Sequence, residues 1–135
     1  MMLDHPWDIS PRQAIQLQRE LASEVLVREL EGPVRTVAGV DCAYLGRTHI
    51  LAVGVLCDAR TMRMIATSEV VRPLTFPYVP GLLSFREAPA VIEAVRALPQ
   101  PVELLMCDGQ GLAHPRRFGL ACHVGVYLDM PAIGM

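Results

Sequence analysis

Two aspartates lie where an ionised carboxylate is costly. Asp41 follows the apolar run 37–40, and Asp108 ends the apolar run 104–107. Burying a carboxylate costs several kcal/mol unless it is paired or bound to a metal. Two acids, completed by water and phosphate oxygens, form a ligand set that Mg²⁺ prefers. The pair therefore indicates a metal site, and pairing with arginine or capping of a turn stay open as alternatives.

Glu87 is a third acidic candidate with two interpretations. The run 84–87 fits a capping box, in which Ser84 starts a helix and Glu87 bonds back to its backbone. Pro89 argues against this, because its ring would meet the carbonyl four residues earlier in such a helix. A later helix start would leave Glu87 free at the N-terminal end.

The elements that must position these acids follow an α/β pattern. A first helix is predicted from a Ser10 cap to Gly32–Pro33. Short turns join three strand-like runs into an antiparallel meander, and the first run is apolar enough to predict burial on both faces. A helix then leads to a fourth strand parallel to the first, followed by a third helix and a fifth strand. The predicted strands are 36–44, 49–57, 64–72, 102–107 and 132–135, and the later helices are 88–98 and 119–128. This order matches a ribonuclease-H-like mixed sheet flanked by helices, with an extra N-terminal helix.

Composition bounds the class of protein. Apolar residues make up 52% and charged residues 19%, which predicts one globular domain. The net charge of −2 gives no general sign of nucleic-acid binding. No apolar run approaches the roughly 18–20 residues of a membrane span. The first eight residues lack the apolar segment of a signal peptide, so we expect a cytoplasmic protein.

Three motifs, in this order and at this spacing, resemble the endonuclease V family. They are VAGVD at 37–41, TFPYVPGLLSFRE at 75–87 and DGQGLAHPRR at 108–117. The resemblance continues through 119–125 and 129–131, so it covers nearly the whole chain. It implies a DNA repair endonuclease that uses Mg²⁺, or Mn²⁺ as a substitute. Such an enzyme recognises deoxyinosine (deaminated adenine) and cuts the second phosphodiester on its 3′ side. Inosine-containing DNA, and RNA as a further possibility, are the implied partners.

The resemblance also implies roles for individual residues. Asp41 and Asp108 would coordinate the metal, and Glu87 would complete the catalytic acidic cluster. Tyr78, flanked by Pro77, Val79 and Pro80, matches the wedge that fills the stack when a base is extruded. Without the resemblance, an aromatic in a proline-rich loop would favour simple loop packing.

Further positions match the base pocket and the phosphate contacts. The implied pocket residues are Gly81, Leu83, Gly109 and Leu120, which would act largely through their backbone. The implied phosphate contacts are His114, Arg116 and Arg117, for which an exposed basic turn is the alternative. The spacing disfavours a zinc site made of Cys107, His114, Cys122 and His123. We expect no organic cofactor, and the sequence makes no prediction of oligomeric state.

The family pattern continues beyond Met135, so we expect a single domain over residues 1–135 that is incomplete at its C-terminus. The family places a lysine just after this point and a further metal-site contribution later. We expect a fifth strand too short to pair along its neighbour, and the C-terminal helices are absent from the sequence. The alternative to an active endonuclease is therefore a catalytically silent lesion-binding module, or a fragment without function of its own.

Overall fold

A computed structural model describes residues 4–135. The prediction that the first eight residues lack a signal-peptide segment falls partly on residues 1–3, which lie outside the described chain. The central element is a five-stranded mixed sheet in the order β3-β2-β1-β4-β5. Strand β1 pairs with β2, and β2 with β3, in antiparallel fashion, whereas β1–β4 and β4–β5 are parallel. The strands are β1 Thr36–Leu45, β2 His49–Asp58, β3 Met64–Pro73, β4 Leu104–Cys107 and β5 Ala132–Gly134. The helices are α1 Pro11–Leu21, α2 Leu83–Arg96 and α3 Leu120–Leu128. The α/β mixed sheet predicted from the sequence is confirmed.

Helices α2 and α3 cover one face of this sheet. Ala38 and Val40 of β1 pack with Val91 of α2 and Val124 of α3 in the main core. The alternate positions of β1 are half-buried or exposed, and Asp41 is exposed. The prediction that β1 is buried on both faces is therefore wrong, because only one of its faces is covered by helices.

Helix α1 is shorter than predicted. The capping box of Ser10 and Gln13 forms, and Pro11 is the first helical residue. The helix ends at Leu21 and passes into a short 3₁₀ turn rather than continuing to Gly32. Leu26 and Val27 are 70% and 75% exposed, so no core holds this segment in a helix.

Helix α2 starts at Leu83, which is earlier than the start predicted by either interpretation of Glu87. Its N-cap is Leu82, and no side chain caps it, so the predicted capping box of Ser84 and Glu87 is absent. Pro89 lies inside the helix. The roughly 3 kcal/mol cost of an internal proline is offset by the residues of α2 that are buried in the core.

Strand β5 pairs better than predicted. Its three residues align with Leu105, Met106 and Cys107, which is nearly the full length of β4. The expectation that β5 could not pair along its neighbour is wrong, because β4 is itself only four residues long.

The N-terminal segment is joined to the core through a buried histidine. His123 of α3 is 0% exposed, and its Nδ1 lies 2.7 Å from Ser84 Oγ. Its Nε2 lies 2.8 Å from His5 Nε2, and His5 Nδ1 donates to the Pro6 carbonyl at 2.9 Å. The buried His123 therefore links Ser84 of α2 to His5 of the N-terminal segment through its two ring nitrogens. Trp7 packs against both histidine rings in tilted arrangements, at ring-centroid distances of 4.4 and 4.7 Å.

Within residues 4–135, no helix is both long and apolar enough to cross a lipid bilayer.

Candidate acidic site and nucleic-acid surface

The two aspartates lie next to each other at one end of the central parallel strands. Val40 pairs with Cys107, and the Asp108 N–H donates to the Val40 carbonyl at 3.3 Å. Asp41 directly follows Val40 and Asp108 directly follows Cys107, so the two aspartates occupy neighbouring positions. Both side chains are exposed, and one Asp41 carboxylate oxygen accepts the Cys42 N–H at 2.8 Å. Within the described chain neither aspartate has an arginine at ion-pair distance, so the arginine-pairing alternative is not formed.

Glu87 joins the two aspartates electrostatically. It projects from α2, is 8% exposed, and accepts a 2.6 Å hydrogen bond from the Tyr44 hydroxyl on Oε2. Burial raises the pKa of Glu87, and the charges of Asp41 and Asp108 raise it further, whereas the Tyr44 hydrogen bond opposes the rise. Burial raises the pKa of the Cys42 thiol to about 12, and the same three carboxylates contribute. The structure thus brings all three predicted acids into one electrostatic environment.

Two residues of this site were not predicted from the sequence: Tyr44, which bonds to Glu87, and Arg86, which packs on the Tyr44 ring. The Arg86 guanidinium lies 4.9 Å from the centroid of the Tyr44 ring, and its Nη1 donates to the Phe76 carbonyl at 3.4 Å. Its buried Nε has no hydrogen-bond partner in the described chain. Burial raises the pKa of Tyr44 to about 12, and the hydrogen bond to Glu87 adds to the rise. The adjacency of Arg86 to Glu87 was visible in the sequence, but the contact between β1 and α2 was not.

The donor set fits a hard divalent cation with a partly hydrated shell. Carboxylate oxygens are the side-chain ligands that Mg²⁺ takes, usually one or two beside water and phosphate oxygens. A Cβ added at Gly39, on the same strand face as Asp41, would meet no atom within 4 Å, which leaves open space for water. In residues 4–135 no three His, Cys, Asp or Glu side chains are placed to ligate one ion together. The residues therefore fit a two-aspartate site rather than an all-protein cage.

The loop between β3 and α2, residues 74–82, presents one exposed aromatic ring. Tyr78 is 69% exposed, whereas Phe76 is 5% exposed and packs with Phe85. Pro77 and Pro80 are exposed on either side, and Val79 packs against the small core around Phe85. The loop-packing alternative therefore applies to Phe76 and Val79 but not to Tyr78.

Among the predicted pocket residues, Gly109 and Leu120 lie against each other, whereas Gly81 lies against Arg116. A Cβ added at Gly109 would lie 2.9 Å from Leu120 Cδ2, so these two residues are in contact. Gly81 has a φ of +83°, and a Cβ there would lie 2.7 Å from Arg116 Nη2. Leu83 is half-buried at the first position of α2. The positive φ favours glycine at position 81, and a larger residue there would also displace the Arg116 guanidinium.

Two of the predicted phosphate contacts, His114 and Arg116, already make hydrogen bonds inside the protein. His114 Nε2 donates to the Gly81 carbonyl at 2.7 Å, and its Nδ1 accepts the N–H groups of Arg116 and Phe118 at 3.1 and 3.2 Å. Burial lowers the pKa of His114. A phosphate bound by His114 would have to replace one of these bonds, so phosphate contact stays a prediction for His114, Arg116 and the exposed Arg117. The ring nitrogens of His114 and His123 are all hydrogen-bonded, which leaves none directed at a zinc ion.

A mixed α/β sheet with one acid on its central strand, a second directly after the neighbouring parallel strand and a third on the adjacent helix defines a fold of the ribonuclease-H-like class. Comparison with known proteins narrows this class. The endonuclease V family model matches residues 17–135, and the chain belongs to that family.

Similar proteins are longer than this chain. An endonuclease V of Roseiflexus castenholzii is 48% identical over 131 residues, which cover 97% of this chain and 59% of that protein. The crystal structure of a Streptomyces avermitilis endonuclease V is 44% identical with a TM-score of 0.89, over 99% of this chain and 61% of that one. A Ciona intestinalis endonuclease V, 22% identical with a TM-score of 0.83, covers 91% of this chain and 55% of that one and shares the fold. That structure contains a 24mer DNA with an inosine followed by a ribo-adenosine.

Proposed function

We propose that this chain carries the lesion-recognition and acidic-site part of a DNA repair endonuclease. It would recognise deoxyinosine and hydrolyse the second phosphodiester bond 3′ to the lesion with Mg²⁺, or with Mn²⁺ in its place. The observation that carries the proposal is the shared environment of Asp41, Asp108 and Glu87, with an exposed Tyr78 on the loop that leads into the helix of Glu87. Family membership and the inosine-containing DNA of the Ciona protein agree with it.

Asp41 and Asp108 are the residues that would hold the divalent ion. A bound ion of this kind polarises a phosphate and lowers the pKa of a water molecule. Glu87 has its Oε2 taken by Tyr44, so Oε1 remains the oxygen that can accept a proton from an attacking water. The raised pKa of Glu87 favours this role, because a general base works best when its pKa approaches the working pH.

Tyr78 would act on base stacking. Reading a base inside a duplex requires extruding it, which costs a few kcal/mol, and an aromatic ring can fill the vacated place. Pro77 and Pro80 restrict the backbone on both sides of Tyr78, which limits the entropy lost on insertion. Backbone groups at Gly81, Leu83, Gly109 and Leu120 would then read hypoxanthine, which differs from adenine by a carbonyl in place of the amine.

A nicking assay tests the proposed reaction. A duplex with one deoxyinosine, labelled at one end, is incubated with the chain in Mg²⁺ or Mn²⁺, beside an otherwise identical adenine duplex. We expect a single product whose length places the cut at the second phosphodiester 3′ to inosine. Asp41→Asn and Asp108→Asn should each abolish it. Cleavage of both duplexes alike, or cleavage that survives both substitutions, would contradict the proposal.

A binding assay in Ca²⁺ separates the endonuclease from a silent lesion-binding module. A preference for the inosine duplex without cleavage in Mg²⁺ or Mn²⁺ would support the binding module. An inosine-containing RNA in the same two assays decides whether RNA is also a substrate.

A further inference from the structure

Helix α1 buries a glutamine that the acidic site does not explain. Gln18 is 0% exposed and lies one helical turn from Ala14, which is also fully buried. In the sequence it interrupts the apolar face of the helix, where a leucine would pack without burying a polar group. A buried amide is costly unless its hydrogen bonds are satisfied, so its partners indicate what it is for.

Those partners lie on two loops that are distant in sequence. Gln18 Nε2 donates to the Gly81 carbonyl at 2.9 Å, and Gln18 Oε1 accepts from Arg116 Nε at 2.6 Å. The same Gly81 carbonyl also receives Arg116 Nη2 at 3.2 Å and His114 Nε2 at 2.7 Å. Three donors from α1 and from the loop after β4 thus converge on one carbonyl oxygen, and we call this group the Gly81 clamp.

The clamped carbonyl belongs to the turn that ends the Tyr78 loop. The Leu82 N–H donates to the Val79 carbonyl at 2.9 Å, which closes a turn over Pro80 and Gly81. Gly81 supplies the positive φ that the third position of such a turn needs. Tyr78 directly precedes this turn and is itself largely exposed, so few contacts of its own fix its position.

We propose that Gln18 is a positioning residue: by holding the Gly81 peptide and the Arg116 guanidinium together, it fixes the loop that presents Tyr78. It touches neither the nucleic acid nor the metal and acts through the Gly81 clamp. The inference rests on the proposed role of Tyr78 in recognising inosine. A loop held in its bound position loses less entropy on binding, so the clamp should contribute to discrimination between inosine and ordinary DNA.

Amide hydrogen exchange tests the clamp without nucleic acid. Gln18→Met keeps the length and volume of the side chain and removes both hydrogen bonds. Gln16→Met is the matched control, because Gln16 is exposed on the same helix. We expect roughly tenfold faster exchange of the Leu82 amide, whose N–H closes the turn, in Gln18→Met, with unchanged exchange in β1 and β2. Equal exchange of this amide in the two variants, or faster exchange throughout the sheet, would overturn the proposal.

Binding in Ca²⁺ then tests the consequence for recognition. The ratio of affinities for inosine and adenine duplexes should fall about tenfold in Gln18→Met, while affinity for the adenine duplex stays near wild type. Gln18→Glu keeps the acceptor for Arg116 and should recover part of the ratio. A ratio unchanged in Gln18→Met, despite faster loop exchange, would overturn the positioning role.

Two further outcomes remain decisive. If the wild-type chain shows no preference for inosine, the proposed function fails, and the exchange measurement alone decides whether Gln18 positions the loop. If Gln18→Met does not fold, Arg116→Met removes the hydrogen bond between Gln18 and Arg116 from the other side, and the exchange measurement is repeated on it. Its control is Arg117→Met at the exposed neighbouring position.

Discussion

The buried His123 should make the stability of this protein depend on pH in a defined direction. Burial lowers the pKa of His123 well below its ordinary value, and the nearby histidines His5 and His114 add to the effect. The folded protein therefore keeps this imidazole neutral while the unfolded chain takes up a proton below about pH 6.5. The protein is therefore most stable above that pH and loses stability as the pH falls, because only the unfolded chain binds the proton.

The size of this loss of unfolding free energy depends only on how much proton the histidine of the unfolded chain takes up. When the folded pKa lies well below the working pH, lowering the pH from about 7.5 to about 5.5 costs about 1.4 kcal/mol of unfolding free energy. The lowered pKa of His114 acts in the same direction. A variant is therefore needed to isolate the part that belongs to His123.

Urea denaturation of wild type and His123→Gln across this pH range makes the measurement. The variant should be less stable than wild type at pH 7.5, since it loses the ring contacts with Phe85, Phe118 and Trp7. Its loss of stability on acidification should be smaller than that of wild type by about 1.4 kcal/mol. Parallel pH profiles for the two proteins would refute this reasoning and would mean that His123 titrates normally when folded.

Other perturbations give separate tests. Tyr78→Ala should lower the preference for inosine over adenine duplexes about tenfold, measured by fluorescence anisotropy in Ca²⁺, and leave the salt dependence unchanged, because a wedge acts on stacking rather than on phosphates. Mg²⁺ or Mn²⁺ should raise the melting temperature in a concentration-dependent way. Asp41→Asn should remove that shift, and a shift that persists would place the ion elsewhere. Gly119→Ala should cost about 1–3 kcal/mol in urea denaturation, because its Cβ would overlap the Gln110 carbonyl. Gly39→Ala has open space around it and serves as the control, so equal losses would show that the contact is not responsible.

The placement of the aspartates was predictable because it depends on local pattern and connectivity. The short turns between the first three strands require antiparallel pairing, and the helix before β4 allows β4 to return parallel to β1. An acid at the same point of each apolar run must then fall at the same end of the sheet. Asp41 and Asp108 do so.

The contacts that complete the site were not predictable from the sequence. The bond from Tyr44 to Glu87 joins a strand to a helix 43 residues away, and that from Arg116 to Gln18 spans 98 residues. Local propensity also failed at Pro89, because burial of α2 outweighs the cost of an internal proline. In each case tertiary packing decided the structure, and no periodicity in the sequence encodes it.

The docking of the N-terminal segment has a practical consequence for spectroscopy. The chain contains one tryptophan, Trp7, and its indole has ring contacts with His5 of its own segment, with Phe85 of α2, and with His123 and Tyr127 of α3. Intrinsic tryptophan fluorescence therefore reports release of this segment from α2 and α3. It does not directly report melting of the strands that carry Asp41 and Asp108. A fluorescence transition that precedes the loss of far-ultraviolet circular dichroism would identify undocking as a distinct step, and only coincident transitions would justify a single unfolding free energy.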